Sequence, residues 1–248
     1  MTTADKVQPG MKDRLIVALD LPDLATAAPL VELLAHEVGM FKVGKQLFVN
    51  SGPAAVRRIH DMGGEVFLDL KFHDIPNTVA AASVEATRLG VQMFNLHASG
   101  GSAMMDATQK AVAQVCEQES LRQPWILAVT VLTSLDQADL ETLGVQQTVE
   151  QQVTRLARLA RDSGMSGVVC SAHEVPSIRA VCGSPFTVVT PGIRPADRGA
   201  GDQKRVMTPG RAVQAGIDYI VVGRPITESP DPVAAAQAIV AEMTGATV

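Results

Sequence analysis

The chain predicts a single-domain α/β protein, a closed (β/α)8 barrel of the TIM-barrel architecture, and three observations lead there. Eight apolar runs rich in β-branched residues recur along its 248 residues. They alternate with longer alanine- and leucine-rich stretches at helical spacing. The length also suits one such barrel, which typically takes about 250 residues. Near-continuous apolar strands with crossover helices imply a parallel sheet covered on both faces. An open doubly wound sheet is the alternative, but it would want a glycine-rich turn after the first strand, and DLPDL (20–24) has no glycine.

Taken in order, the expected strands are LIVALD (15–20), MFKVG (40–44), EVFLDLK (65–71), MFNLHAS (93–99), WILAVTVL (125–132), GVVCSA (167–172), FTVVTPGI (186–193) and YIVVGR (219–224). Between them, TVAAASVEATRL (78–89) and TVEQQVTRLARLARD (148–162) carry apolar residues at helical intervals. A repeated joint supports the alternation. Glycine follows a helical segment and precedes a strand at Gly63, Gly90, Gly164 and Gly216, where it can take the left-handed position that ends a helix. Residues 1–12 read as a flexible N-terminal lead.

Composition removes several function classes. The net charge of -5 offers no electrostatic footprint for nucleic acid or an anionic membrane. MTTADKVQPG lacks the basic-then-apolar layout of a signal peptide, and no apolar run approaches the ~20 residues that span a bilayer, so a cytoplasmic location is expected. Cys116, Cys170 and Cys182 are odd in number, with no CxxC pair, and read as small buried hydrophobes.

Chemistry concentrates where the strands end. Asp20, Lys42, Asp69 with Lys71, His97, Thr133, Ser171, Arg194 and Arg224 lie at or just after the eight apolar runs. In barrels of this class that rim carries the active site, and the loops after the seventh and eighth strands commonly hold a phosphate. Arg194 opens a glycine-rich, charged segment that reads as a phosphate-binding lid over 194–206, and Gly223-Arg224 closes the eighth strand. A phosphorylated substrate follows.

The densest signal is DLKFHDIPNT (69–78), which places Asp69, Lys71 and Asp74 at the tip of an apolar strand. Alternation along a strand puts Asp69 and Lys71 on one face. Lys71, held between the carboxylates of Asp69 and Asp74, is expected to stay protonated and can give a proton to a very basic centre, such as a carbanion. Plainer readings stand beside this one. Asp74 could cap the helix containing Pro76, and Asp69 with Lys71 could be a structural ion pair, although such pairs add little net stability when buried. Asp20 could cap a helix entered through Pro22, Lys42 could send its ammonium out to water, and His97 and His73 read as supporting residues.

These residues resemble the orotidine 5′-phosphate decarboxylase family, in its bacterial form, over almost the whole chain. DLKFHDIPNT is the most specific part; ALD, LTS, PGIR followed by Gln203, and VVGR occur in the matching order. The resemblance implies decarboxylation of orotidine 5′-phosphate to uridine 5′-phosphate, with neither cofactor nor metal. By position, Lys71 would protonate pyrimidine C6 and Asp69 would face the substrate carboxylate. Asp74, Ile75 and Thr78 would complete the site of a homodimeric partner. Asp20 and Lys42 would hold ribose hydroxyls, Thr133 and Ser134 would lie by the base, and Arg194, Gln203, Gly223 and Arg224 would bind phosphate. Two rivals remain: a magnesium-dependent enzyme acting on sugar phosphates through an enediolate, and a non-catalytic sensor of phosphoribosyl ligands.

Overall fold

The computed structural model describes residues 10–195 and 207–245. Eight parallel strands close on themselves in sequence order: β1 (Leu15–Ala18), β2 (Met40–Gly44), β3 (Val66–Phe72), β4 (Met93–His97), β5 (Trp125–Val129), β6 (Gly167–Val169), β7 (Thr187–Thr190) and β8 (Tyr219–Val222), which pairs back onto β1. Each expected apolar run supplies one strand. Helices fill the intervals, among them Pro76–Arg88 and Val149–Asp162. The second begins with a reciprocal cap, in which Thr148 accepts from Gln151 N and Gln151 accepts from Thr148 N, and it buries Val153, Leu156, Ala157 and Ala160 along one stripe. The expected helix-to-strand joints are present, since Gly63, Gly90, Gly164 and Gly216 all have positive φ.

Strand alternation divides the apolar residues into two cores. Leu15, Val17, Phe41, Val43, Phe94 and Leu96 pack outward under the helices. Ile16, Met40, Phe67, Met93, Leu127 and Val189 fill the barrel interior. At the amino-terminal end the first residues of β5 and β8 plug it, with the Trp125 and Tyr219 rings 5.5 Å apart, edge toward face. Burial, the largest influence there, pushes the Tyr219 phenol up to about 12. Toward the other end apolar filling gives way to Lys42, Asp69 and Asn95, each at most 9% exposed.

Several local readings change. β3 starts at Val66 rather than Glu65, which instead meets Arg122 at the surface. Asp20 caps no helix; Asp23 does, accepting from Thr26 N at 2.8 Å. Asp74 is not a cap either, because Ile75 holds the N-cap position before Pro76 and makes no side-chain cap bond. Cys170 is buried as expected, but Cys116 and Cys182 are only partly so, and all three are free thiols. Residues 1–9 of the expected lead and 196–206 of the expected lid lie outside the described residues. Within the lead, Gly10 N donates to Asp13 Oδ2 and Lys12 Nζ to His36 O. Among the described residues no helix is long and apolar enough to cross a membrane.

Candidate active site

Four alternating charges form a row across the carboxy-terminal ends of β1, β2 and β3. Lys42 Nζ donates to Asp20 Oδ1 at 2.8 Å and faces Asp69 Oδ2 at 3.4 Å, while Lys71 Nζ donates to Asp69 Oδ1 at 2.6 Å. Lys42 therefore does not send its ammonium into water. It is the lysine that this chain itself flanks with two carboxylates. Burial is the largest influence on Lys42 and opposes its charge, but Asp69 and Asp20 together outweigh it and hold its pKa above the usual lysine value. Burial likewise opposes the Asp69 carboxylate, yet Lys42, Lys71 and Asn95 keep its pKa below the ordinary range. Both groups stay charged in a nearly dry setting.

The backbone that presents Lys71 is irregular. Pairing of β3 with β4 runs Phe67 to Met93 and Leu68 to Phe94, then resumes only at Phe72 opposite Leu96. Within this bulge Lys71 adopts φ +55°, a left-handed conformation that costs a non-glycine residue on the order of 1 kcal/mol. Asn95, fully buried on β4, bridges the irregularity: its Oδ1 accepts from Lys71 N at 2.8 Å and its Nδ2 donates to Asp69 Oδ1 at 2.7 Å. Asp69 and Lys71 thus do point the same way, but through a bulge rather than simple alternation.

The charges open into a cavity of about 480 Å³ whose wall includes Asp20, Lys42, Asp69, Lys71 and Thr133. Its floor is apolar, with Phe67, Val129, Val169 and Val221. A second cavity of about 370 Å³ shares Asp20, Lys42, Pro191 and Val221 with the first. Gly192, Arg194, Gly223, Arg224 and the carboxylate-bearing Glu228 line it. Ser134 is exposed and lines neither. Gln203 lies outside the described residues. Asp74, Ile75 and Thr78 are exposed at the entry to the helix Pro76–Arg88 and line neither cavity, and Asp74 Oδ1 accepts from Ile75 N.

Three contributors escaped the sequence reading. Asn95 is a polar residue in the middle of an apolar strand, which was its available signal. Lys45 lines the first cavity just past β2. Gly44 approaches the charges closely, since a Cβ there would lie 3.1 Å from both Asp20 Oδ1 and Lys42 Nζ. Behind the row, the His73 and His97 rings lie 5.3 Å apart. Burial first, then His73, Lys71 and Lys45, bring His97 down to about 4.

Among the described residues no group of three or more His, Cys, Asp or Glu side chains is placed to hold a metal ion. The position between Asp20 and Asp69 is taken by the Lys42 ammonium.

A closed barrel with a row of alternating charges on the wall of a cavity at the carboxy-terminal rim, above an apolar plug, has the layout of a barrel enzyme. Its relatives make that class particular. The chain belongs to the orotidine 5′-phosphate decarboxylase / HUMPS family, whose model matches residues 13–239. An orotidine 5′-phosphate decarboxylase of Moorella thermoacetica is 52% identical over 244 residues, which is 98% of this chain and 97% of that one. One of Geobacter metallireducens is 54% identical over 232 residues, 94% of this chain and 96% of its own. Among solved structures, orotidine 5′-phosphate decarboxylase of Lactobacillus acidophilus superposes with a TM-score of 0.82 at 38% identity, covering 92% of this chain and 98% of that one. That of Pyrococcus horikoshii OT3 gives 0.73 at 25% identity, covering 93% and 99%.

Proposed function

We propose that this chain decarboxylates orotidine 5′-phosphate to uridine 5′-phosphate and carbon dioxide in pyrimidine biosynthesis, in the cytoplasm, with neither metal nor cofactor. The observation that carries the reading is the row Asp20, Lys42, Asp69, Lys71 at the cavity wall, whose central pair Lys42 and Asp69 is buried. When the bond from C6 to the carboxylate breaks, carbon dioxide leaves and the electron pair stays in an sp² orbital in the ring plane, where the pyrimidine π-system cannot delocalise it. Stabilisation must come from outside the ring. The Lys71 ammonium, fixed before reaction by Asp69, meets that charge without reorganising and then transfers a proton to C6. Solvent reprotonates the lysine after product leaves. Asp69 faces the substrate carboxylate in this reading, and its repulsion is a lesser contribution.

Asp20 and Lys42 hold the ribose hydroxyls, with Thr133 and Ser134 near the base. Arg194, Gln203, Gly223 and Arg224 take the phosphate, and residues 194–206 close over it. The two cavities share Asp20 and Lys42, which suits a ligand with its ribose between base and phosphate. The working unit is a homodimer in which Asp74, Ile75 and Thr78 complete the partner's site. Support for this comes from their exposure here, Ile75 being 66% exposed.

The test is direct. Purified protein given orotidine 5′-phosphate should consume its absorbance and release carbon dioxide at the same rate before and after EDTA treatment. Turnover that stops with EDTA and returns with magnesium would favour the sugar-phosphate chemistry instead.

A further inference from the structure

We propose that Asn95 is the positioning residue of the charged row, fixing both the backbone turn that presents Lys71 and the carboxylate that holds its ammonium. The bulge between Leu68 and Phe72 interrupts the β3–β4 pairing, so the Lys71 N–H needs another acceptor. Asn95 Oδ1 provides it at 2.8 Å. The same amide turns its Nδ2 toward Asp69 Oδ1 at 2.7 Å, the oxygen that also receives the Lys71 ammonium at 2.6 Å. A backbone N–H only donates and an ionised carboxylate only accepts. A planar amide is the neutral side chain that offers one acceptor and one donor in fixed relation to such a pair.

Asn95 is completely buried, facing inward two residues past Met93, between the outward-facing Phe94 and Leu96. It touches the reacting groups only through Asp69 and the Lys71 backbone. Its loss should release the left-handed Lys71 toward a relaxed conformation and let Asp69 rotate. The ammonium would then lose its aim while the ribose and phosphate regions stay intact.

The kinetic readout rests on the decarboxylation proposed above. Asn95→Ala should lower kcat by about 30-fold or more, as expected for losing buried hydrogen bonds to a charged group. KM and the Kd for uridine 5′-phosphate should stay within about threefold. Asn95→Asp keeps the acceptor for Lys71 N but replaces the donor with a second carboxylate. Its deficit relative to wild type should narrow from about pH 8 to about pH 5, as the new carboxyl gains a proton it can donate to Asp69.

Wild-type-like kcat in both variants, kcat and nucleotide affinity falling together, or an Asn95→Asp deficit that ignores pH would each overturn the proposal. If the wild-type protein turns over no orotidine 5′-phosphate, the functional reading fails and the positioning claim is decided by the crystal structure of Asn95→Ala. Lys71 leaving the left-handed region, with its contact to Asp69 opening beyond about 3.5 Å, supports it; unchanged geometry overturns it.

Discussion

Lys42 Nζ stands 3.4 Å from Asp69 Oδ2, and the two residues are 8% and 9% exposed. Their charges cannot be removed independently, because each is the other's principal compensation for lost water. The energetic consequence exceeds that of a surface ion pair, which contributes about 0–1 kcal/mol.

Lys42→Met should therefore destabilise the fold, since it preserves bulk but leaves Asp69 short of a partner. The expected loss is at the low end of about 3–5 kcal/mol, because Lys71 and Asn95 still serve Asp69. Urea unfolding of both proteins measures it. A change within experimental scatter would mean that Lys42 is not structurally coupled to Asp69.

Stability against acid should follow His97. Its folded pKa, about 4, lies below its unfolded value of 6.5, so the unfolded chain binds the extra proton between these values. Stability then falls as pH drops from 6.5 toward 4. Asp69, with its lowered pKa, adds a loss only at lower pH, as the pH falls below its unfolded value of 3.8 and through its folded value. Lys42, with its raised pKa, contributes fully below its unfolded 10.5 and loses that contribution as pH rises through its higher folded value. Thermal melting against pH should show a shallower acid slope for His97→Gln than for wild type over pH 4 to 6.5. Parallel slopes would contradict this assignment.

The phosphate should act on turnover as well as on binding. Two arginine contacts in water are worth about 30-fold at most if each contributes ~1 kcal/mol. Orotidine without its phosphate should lose more than about 100-fold in kcat/KM if, as proposed, closure over the phosphate also orders the charged row and expels water. Arg224→Ala should narrow the gap between the two substrates. Equal efficiency on both would remove the phosphate from the mechanism.

Most of the fold was legible because each strand is an apolar run bounded by a polar residue, with a helix-ending glycine before several of them. Asp20, Lys42, Asp69, Lys71 and Thr133 could be grouped from strand ends alone, and the structure gathers them on one cavity wall. What failed was local. Asp20 and Asp23 both precede the first helix, and only backbone geometry selects Asp23 as the cap. The bulge could not be read, because a lysine at φ +55° carries no glycine or asparagine to announce it. Asn95 was visible as a polar intrusion in MFNLH, but its role depends on the register across β3, which sequence periodicity does not report. Residues proposed to complete a partner's site leave no trace in one chain beyond exposure, as at Ile75.

In the proposed reaction the Lys71 ammonium stabilises and protonates the C6 carbanion. Decarboxylation by Lys71→Ala, measured beside its affinity for uridine 5′-phosphate, tests this most directly. The expected kcat is lower by at least about 10⁴-fold, combining lost electrostatic stabilisation with lost proton donation, and nucleotide affinity should stay within about tenfold of wild type. A variant that retains more than a tenth of wild-type turnover would contradict it.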